Sequence, residues 1–473
     1  MAFVGRDDEL AQLTHWWDDA NDRPALVWGR RRVGKTALIE QFASGLRRVV
    51  FHTAAGDPTA SELRRLTASV RLADLQGLRD LEANPYHDWR DALDHLASEA
   101  ASEPALLVLD EFPELLHGSP TLPGLLRAFL DNTRGRTQLR LLLCGSAVRT
   151  MWSIQGTREP LYGRFNLALP VFPFRPHEAA MMLPGLPPET RALVYGLVGG
   201  MPLYLGWWQQ GRTVAENLLY LVGNSGGPLL TEGRLIMETE IGSDQGSAIL
   251  YALATGAAKY SEIKGVVGFD PLRALDRLQE ARLITRLVPA GDDPRKSRRA
   301  IYRIADNFLA FYLGPVLKHR TEIERGRGRI AVPAIERELD SHLGLPYEEA
   351  FRECLWRKAE DGTLGLENIV EIGPWWGTQQ SGDRPAGRNQ VEIDAVLLAQ
   401  PALTRVPVAV GEAKWGKSVN GARLRARLTA KAASITPDVD QLRYIVCARS
   451  EVVVPDNSDT ITITARDIFP DPG

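Results

Sequence analysis

Eight residues, Gly29-Arg30-Arg31-Arg32-Val33-Gly34-Lys35-Thr36, constrain this chain more than any other stretch. They satisfy every fixed position of the pattern G-x-x-x-x-G-K-[ST]. The residues before them, 24–28, are a short apolar run, and residues 35–44 have the pattern of an amphipathic helix. A strand that turns through two glycines into a helix aims backbone N–H groups into a concave loop, and the helix N-terminus adds partial positive charge. Such a loop suits a polyphosphate. Gly29 and Gly34 let the backbone curl, with Arg30, Arg31, Arg32 and Val33 between them. Lys35 is placed to reach the outer phosphates and the Thr36 hydroxyl to ligate Mg2+, so ATP and Mg2+ are the expected ligands.

Apolar runs at 49–53, 105–109, 139–144 and 165–170 alternate with helical stretches, the pattern of a parallel sheet covered on both faces. The second of these runs delivers Asp110 and Glu111 to its carboxyl end, where open α/β sheets bind ligands. Asp110 is expected to hold Mg2+ through water, and Glu111 to orient and deprotonate the attacking water. An acidic pair that merely ends a strand is the plainer reading. Ser146 follows the next strand and either senses the terminal phosphate or caps the helix expected at 147–152.

From about residue 175 the pattern is helical, with runs at 176–183, 188–197 and 203–210 that read as a lid. Residues 243–314 offer three short helices and two strand-like segments, 283–289 and 300–304, the order of a winged helix-turn-helix. Its third helix carries Arg273, Arg277 and Arg282, and its wing Arg295, Lys296, Arg298 and Arg299. Such a patch contacts DNA phosphates or is simply solvated. Residues 321–329 are charged and Gly-containing and read as a linker.

The last third holds a helix at 346–359 and strands near 368–372, 390–398, 406–414 and 441–448, with a polar hairpin loop at 378–389. Glu412 and Lys414 are two apart on a strand and share a face, and an antiparallel neighbour would bring Asp394 beside them. Two carboxylates and a lysine at a sheet end can hold Mg2+ and position a water for phosphodiester attack. Trp375, Trp376 and Trp415 read as packing residues, and Arg423, Arg425, Arg427 and Lys431 as a DNA path or a solvated helix face.

Taken together, Phe3-Val4-Gly5-Arg6-Asp7-Asp8-Glu9-Leu10, the glycine loop and Leu109-Asp110-Glu111-Phe112 resemble the archaeal-type ATPase family, in the STAND-like branch of AAA+ proteins. Gly199-Gly200-Met201-Pro202 is similar to that family's lid motif. Leu283-Ile284 and Tyr302-Arg303-Ile304-Ala305-Asp306-Asn307-Phe308-Leu309 resemble the wing and exit of its winged helix. The resemblance implies that residues 3–6 lie close to the base and that Pro202 packs near the adenine. It also implies that Arg164 is an arginine finger acting on a neighbouring subunit's ATP in a homo-oligomer, a salt bridge being the alternative. The last third resembles the PD-(D/E)xK nuclease fold, which implies a preceding helix with a metal-binding Glu348, or Glu349 if the register slips. Metal ligands would then be Glu348, Asp394 and Glu412, with Lys414 catalytic. Ile393 stands where proline is usual.

The expected fold class is α/β: a P-loop parallel-sheet ATPase core (1–174), a helical lid (175–242), a winged helix-turn-helix (243–320) and a PD-(D/E)xK-like domain (332–473). A net charge of -3 excludes a polycation, so any DNA contact must come from local patches. Cys144, Cys354 and Cys447 lie too far apart in sequence for a metal or disulfide framework. With no apolar leader core and no expected membrane span, a cytoplasmic location is expected. Two functions compete: an ATP-regulated, Mg2+-dependent DNase, and an ATP switch that binds DNA or a protein through a non-catalytic C-terminal domain.

Overall fold

The computed structural model describes residues 3–19, 23–73, 75–241, 244–378, 390–455 and 459–472. Contacts divide the chain into two compact units, Met1–Pro173 and Phe174–Gly473.

The first unit is built on five parallel strands: β1 (Ala25–Trp28), β2 (Val49–Thr53), β3 (Ala105–Asp110), β4 (Leu139–Gly145) and β5 (Leu167–Pro170). Their order is β2-β3-β4-β1-β5. Every residue of β1 and β3 is buried, as expected for strands covered on both faces. Because β4 lies between β1 and β3, the residues after it sit between the glycine loop and the Asp110-Glu111 pair. Helix Thr59–Leu72 packs on β2, and helix Phe112–Gly118 on β4.

The second unit opens with helices Pro176–Met181, Pro188–Val198 and Pro202–Trp207, close to their expected spans. Two more, Val214–Leu221 and Pro228–Thr239, were not singled out in the sequence. Helices Asp244–Ala254, Tyr260–Val267 and Leu272–Glu280 then lead to an antiparallel hairpin of β6 (Ile284–Leu287) and β7 (Ile301–Ile304). The segment read as a linker is instead ordered into helices Arg320–Glu324 and Gly328–His342. Its charges lie outward while Ile323 and Ala331 are buried, and Gly328 lies where a side chain would collide with the backbone of Gly223. The boundary expected at 332 therefore falls inside a helix.

Helix Gly344–Glu360 precedes a mixed sheet of β8 (Ile369–Thr378), β9 (Gln390–Ala399), β10 (Val406–Lys414), β12 (Arg443–Ala448) and β14 (Ile461–Thr464); short β11 (Ser418–Asn420) and β13 (Glu451–Val453) pair separately. The main order is β14-β12-β10-β9-β8, with β8, β9 and β10 antiparallel and β10, β12 and β14 parallel. Helix Gly421–Ala432 makes the crossover between β10 and β12 and buries Leu428 and Ala432 against the sheet. Within the loop read as 378–389, residues 379–389 lie outside the described residues. No helix among the described residues is long and apolar enough to cross a membrane.

Candidate functional site

At the end of β1 the chain enters the glycine loop at a point with no room for a side chain. A Cβ on Gly29 would collide with the carbonyl oxygen of Val171. Gly34, at φ 92°, adopts the left-handed conformation that glycine takes without strain and starts helix Lys35–Ala43. Lys35 is buried, its Nζ donating to the carbonyls of Gly29 at 3.0 Å and Arg30 at 3.1 Å. The ammonium is therefore already positioned inside the loop. Arg30 is likewise buried.

Thr36 Oγ1 donates to Asp110 Oδ2 at 3.0 Å, joining the start of the helix to the end of β3. A hydroxyl and a carboxylate, both hard oxygen donors, thus meet at the mouth of the loop, and this pair fits Mg2+. Asp110 Oδ1 accepts from the Glu111 N–H at 2.9 Å. Glu111 itself has φ 50°, an uncommon value for a residue with a side chain. That turn aims its carboxylate across β4, where Oε2 accepts from Ser146 Oγ at 2.8 Å and from Ser146 N at 3.2 Å. Ser146 is therefore a partner of Glu111. The helix-cap alternative fails, because Ala147 caps helix Val148–Ser153 and Ser146 is spent on Glu111. Gly145 keeps this crossing tight, since a Cβ there would press on Pro113 and Met151.

One residue outside the motif braces this site. Arg6, at φ 68°, is only 3% exposed; its Nη2 donates to the Val33 carbonyl at 2.9 Å and its Nη1 pairs with Glu9 at 2.8 Å. It braces the glycine loop directly, a role the sequence reading did not assign. Arg164 pairs with Asp131 of its own chain, so a role towards a second subunit requires that pair to open. Pro202 opens helix Pro202–Trp207 in the second unit.

A second cluster lies in the C-terminal sheet. Gly411 pairs with Ala395, so Glu412 and Asp394 come next to each other on antiparallel strands. Lys414 Nζ lies 2.8 Å from Glu412 Oε1 and 3.6 Å from Asp394 Oδ2. Asp394 Oδ2 also accepts from Ala413 N at 2.9 Å. Burial pushes the Asp394 carboxyl up, and Glu412 adds to this; Lys414, the Ala413 N–H and Lys431 oppose it. Burial, and then the charge of Asp394, also raise the Glu348 carboxyl, against Arg352, Arg303 and Lys414. Burial lowers the Lys414 ammonium, but Asp394 and Glu412 outweigh it and hold the net value up. Glu349, the register alternative, is exposed and paired with Arg352.

Lys431 is not simply solvated: it sits 2.9 and 2.7 Å from the two Glu412 oxygens, while Arg423 and Arg427 of the same helix stay exposed. Arg303, on β7, was also missed as a charge acting on Glu348. Among the described residues, no group of three or more His, Cys, Asp or Glu side chains forms a metal cage. The expected triad of Glu348, Asp394 and Glu412 does not form such a group, although the charge of Asp394 reaches the Glu348 carboxyl. Asp394 and Glu412 still make a pair, and Mg2+ commonly takes one or two carboxylates and fills its remaining positions with water.

The hairpin loop between β6 and β7 departs from the free-wing expectation. Ala290 N donates to the Pro374 carbonyl at 2.8 Å, and Gly291 N to Glu371 Oε1 at 3.0 Å. Arg299 Nη1 donates to the Trp376 carbonyl at 2.9 Å, while Trp376 Nε1 donates to the Arg299 carbonyl at 3.1 Å. Ala290 joins the apolar core of the C-terminal sheet with Ile393, Val396 and Trp375. The loop therefore straps β8, and Arg299, though itself exposed, is tied to Asp292 and to Trp376 of the same chain. Arg295, Lys296 and Arg298 stay exposed. Trp415 is a packing residue, as read: it is 8% exposed and its Nε1 donates to Asp340.

Comparison with known proteins agrees with this geometry. A model of an ATPase domain found predominantly in Archaea matches residues 3–207, and one of archaeal and bacterial proteins of unknown function matches residues 312–426. An uncharacterized protein of Methanocaldococcus jannaschii is 26% identical over 388 residues, 79% of this chain and 82% of that protein. An uncharacterized ATP-binding protein of the same organism is 43% identical over 42 residues, 9% of this chain and 71% of that protein. The Walker-type ATPase PABY2304 of Pyrococcus abyssi shares the fold, with a TM-score of 0.52 at 21% identity over 66% of this chain and 96% of that one. Through residues 3–207, with their Lys35, Thr36, Asp110 and Glu111 gathered at one sheet edge, the chain belongs to the ATPase domain family found predominantly in Archaea.

Proposed function

We propose that the first unit binds ATP with Mg2+ in the loop 29–36 and hydrolyses it, and that the nucleotide state controls what the second unit does. The convergence of Lys35, Thr36, Asp110, Glu111 and Ser146 at the carboxyl ends of β1, β3 and β4 carries this reading. Lys35 neutralises phosphate charge, and Thr36 and Asp110 hold the metal. Mg2+, when bound, screens the charge of the phosphate oxygens. Glu111 accepts a proton from the attacking water, while Ser146 fixes where its carboxylate stands. Purified chain should bind a fluorescent ATP analogue, and Lys35→Ala should lose that binding. Equal affinity in the variant would show that the loop does not hold the nucleotide.

For the C-terminal cluster, one observation favours chemistry on phosphodiesters of nucleic acid, DNA first. Lys414 lies between Asp394 and Glu412, within reach of both. The helix, three antiparallel strands, helix and parallel strand that surround it follow the order of the nuclease fold that the sequence resembles. In that role Lys414 orients the water or meets negative charge as it develops. Plasmid incubated with Mg2+ should be cut by the wild-type chain and spared by Glu412→Ala and Lys414→Ala. If the wild type retains DNA without cutting it, the cluster is a binding module under nucleotide control.

A further inference from the structure

The residues around Glu412 bear on how a cation gains access to this cluster, and their role as a gate rests on the phosphodiester reading of it. Glu412 is only 6% exposed, and both its oxygens lie within hydrogen-bond distance of Lys431 Nζ, at 2.9 and 2.7 Å. Lys414 takes Oε1 as well, at 2.8 Å. Lys431 comes from helix Gly421–Ala432, not from the strand. That helix is held at its start by the Asn420 side chain, which accepts from Arg423 N at 2.9 Å, and along its length by buried Leu428 and Ala432. The ammonium is thus delivered by a packed element. Two ammonium groups on one carboxylate crowd the positions a dication would take and repel its charge, so binding of the ion favours release of Lys431.

The rest of the helix shows where the ammonium can go. Arg423, Arg427 and Lys431 are spaced four apart and so line one face. Arg423 and Arg427 are exposed, and Lys431 ends the stripe at the carboxylates. A phosphodiester chain lying on this stripe offers Lys431 an anionic partner in exchange for Glu412.

We propose that Lys431 is a tethered internal cation at Glu412, so that a divalent ion enters the cluster in competition with its ammonium. Substrate on the stripe eases that entry, which ties metal loading to the presence of nucleic acid.

The test titrates Mn2+ alone, by calorimetry, into the full chain without nucleotide, and takes the part of the binding lost in Glu412→Gln as the C-terminal component. Lys431→Met should tighten that component by at least roughly tenfold, the scale on which partners of metal ligands move affinity. Lys431→Arg, which keeps the charge, should stay near wild type. A short DNA duplex should tighten wild type and leave Lys431→Met unmoved. Lys431→Gln serves if the methionine chain does not fold. Equal or weaker binding in both neutral variants, with a clear wild-type component, overturns the gate and leaves the metal site standing. No Glu412-dependent Mn2+ binding in any chain overturns both.

Discussion

Arg6 offers the sharpest separation of binding from chemistry in the first unit. Its guanidinium is buried and contributes two hydrogen bonds, to the Val33 carbonyl inside the glycine loop and to Glu9. A hydrogen bond from a charged donor contributes about 1.5–3 kcal/mol, and losing it leaves its buried partner desolvated. If that energy holds the loop in its phosphate-binding shape, Arg6→Asn should weaken ATP affinity by about 10- to 150-fold, since each 1.4 kcal/mol is a factor of ten. Asparagine is the better choice than alanine because position 6 sits at φ 68°, which asparagine tolerates. The turnover number at saturating ATP should change little, because Glu111 is held by Ser146 and the Arg6 guanidinium braces Val33 instead. Calorimetric titration with ATP gives the affinity, steady-state phosphate release gives turnover, and a thermal melt checks that the fold survives. Affinity within twofold of wild type in a folded variant would refute the reasoning, as would a loss confined to turnover.

Gly200→Ala should destabilise the second unit, because its Cβ would collide with the backbone carbonyl of Phe174; overpacking of this kind costs about 1–3 kcal/mol, visible as a lower melting temperature. Gly211→Ala, with nothing within 4 Å of its Cβ, is the matched control and should leave the melt unchanged. His342, with its ring 5.8 Å from that of Phe311, has its pKa lowered by burial from 6.5 to about 4. The unfolded chain takes up that proton first, so stability is full above pH 6.5 and falls as the pH drops towards 4. From pH 7.5 to 5 this linkage removes about 2 kcal/mol, and His342→Phe should flatten that share of the pH dependence in denaturant melts. In the strap, Arg299→Glu should lower thermal stability by breaking the contacts with Asp292 and Trp376, whereas Arg298→Glu should not; a DNA-affinity loss seen with Arg298→Glu alone would mark a true nucleic-acid contact.

The phosphate loop was legible because all of its determinants are local: an apolar strand, two glycines and a helix within twenty residues. Asp110 and Glu111 were legible because an apolar run announces a buried strand and its end. Glu412 and Lys414 showed through the two-residue alternation of a strand, and Asp394 through its antiparallel neighbour. What stayed hidden depends on contacts between distant segments. Arg6 reaches Val33 across 27 residues from a left-handed turn that no residue type announces. Lys431 belongs to an i+4 stripe, which reads as a solvated face until the crossover helix lays its end against Glu412. The strap on β8 joins Arg299 to a strand 77 residues later, and a run of basic residues looks the same whether it is free or bound to a carbonyl. The segment 321–329 misled because its charges face outward while Ile323 turns in.

Glu111, held by Ser146 beside Asp110, is the proposed base for ATP hydrolysis in the first unit. Its direct test is phosphate release by Glu111→Gln at saturating Mg2+ and ATP, set beside ATP affinity in the same variant. Turnover should fall by about 10²–10⁴-fold, the usual worth of a positioned base, with affinity within a few fold of wild type. Turnover at the wild-type rate, with nucleotide bound, would contradict it.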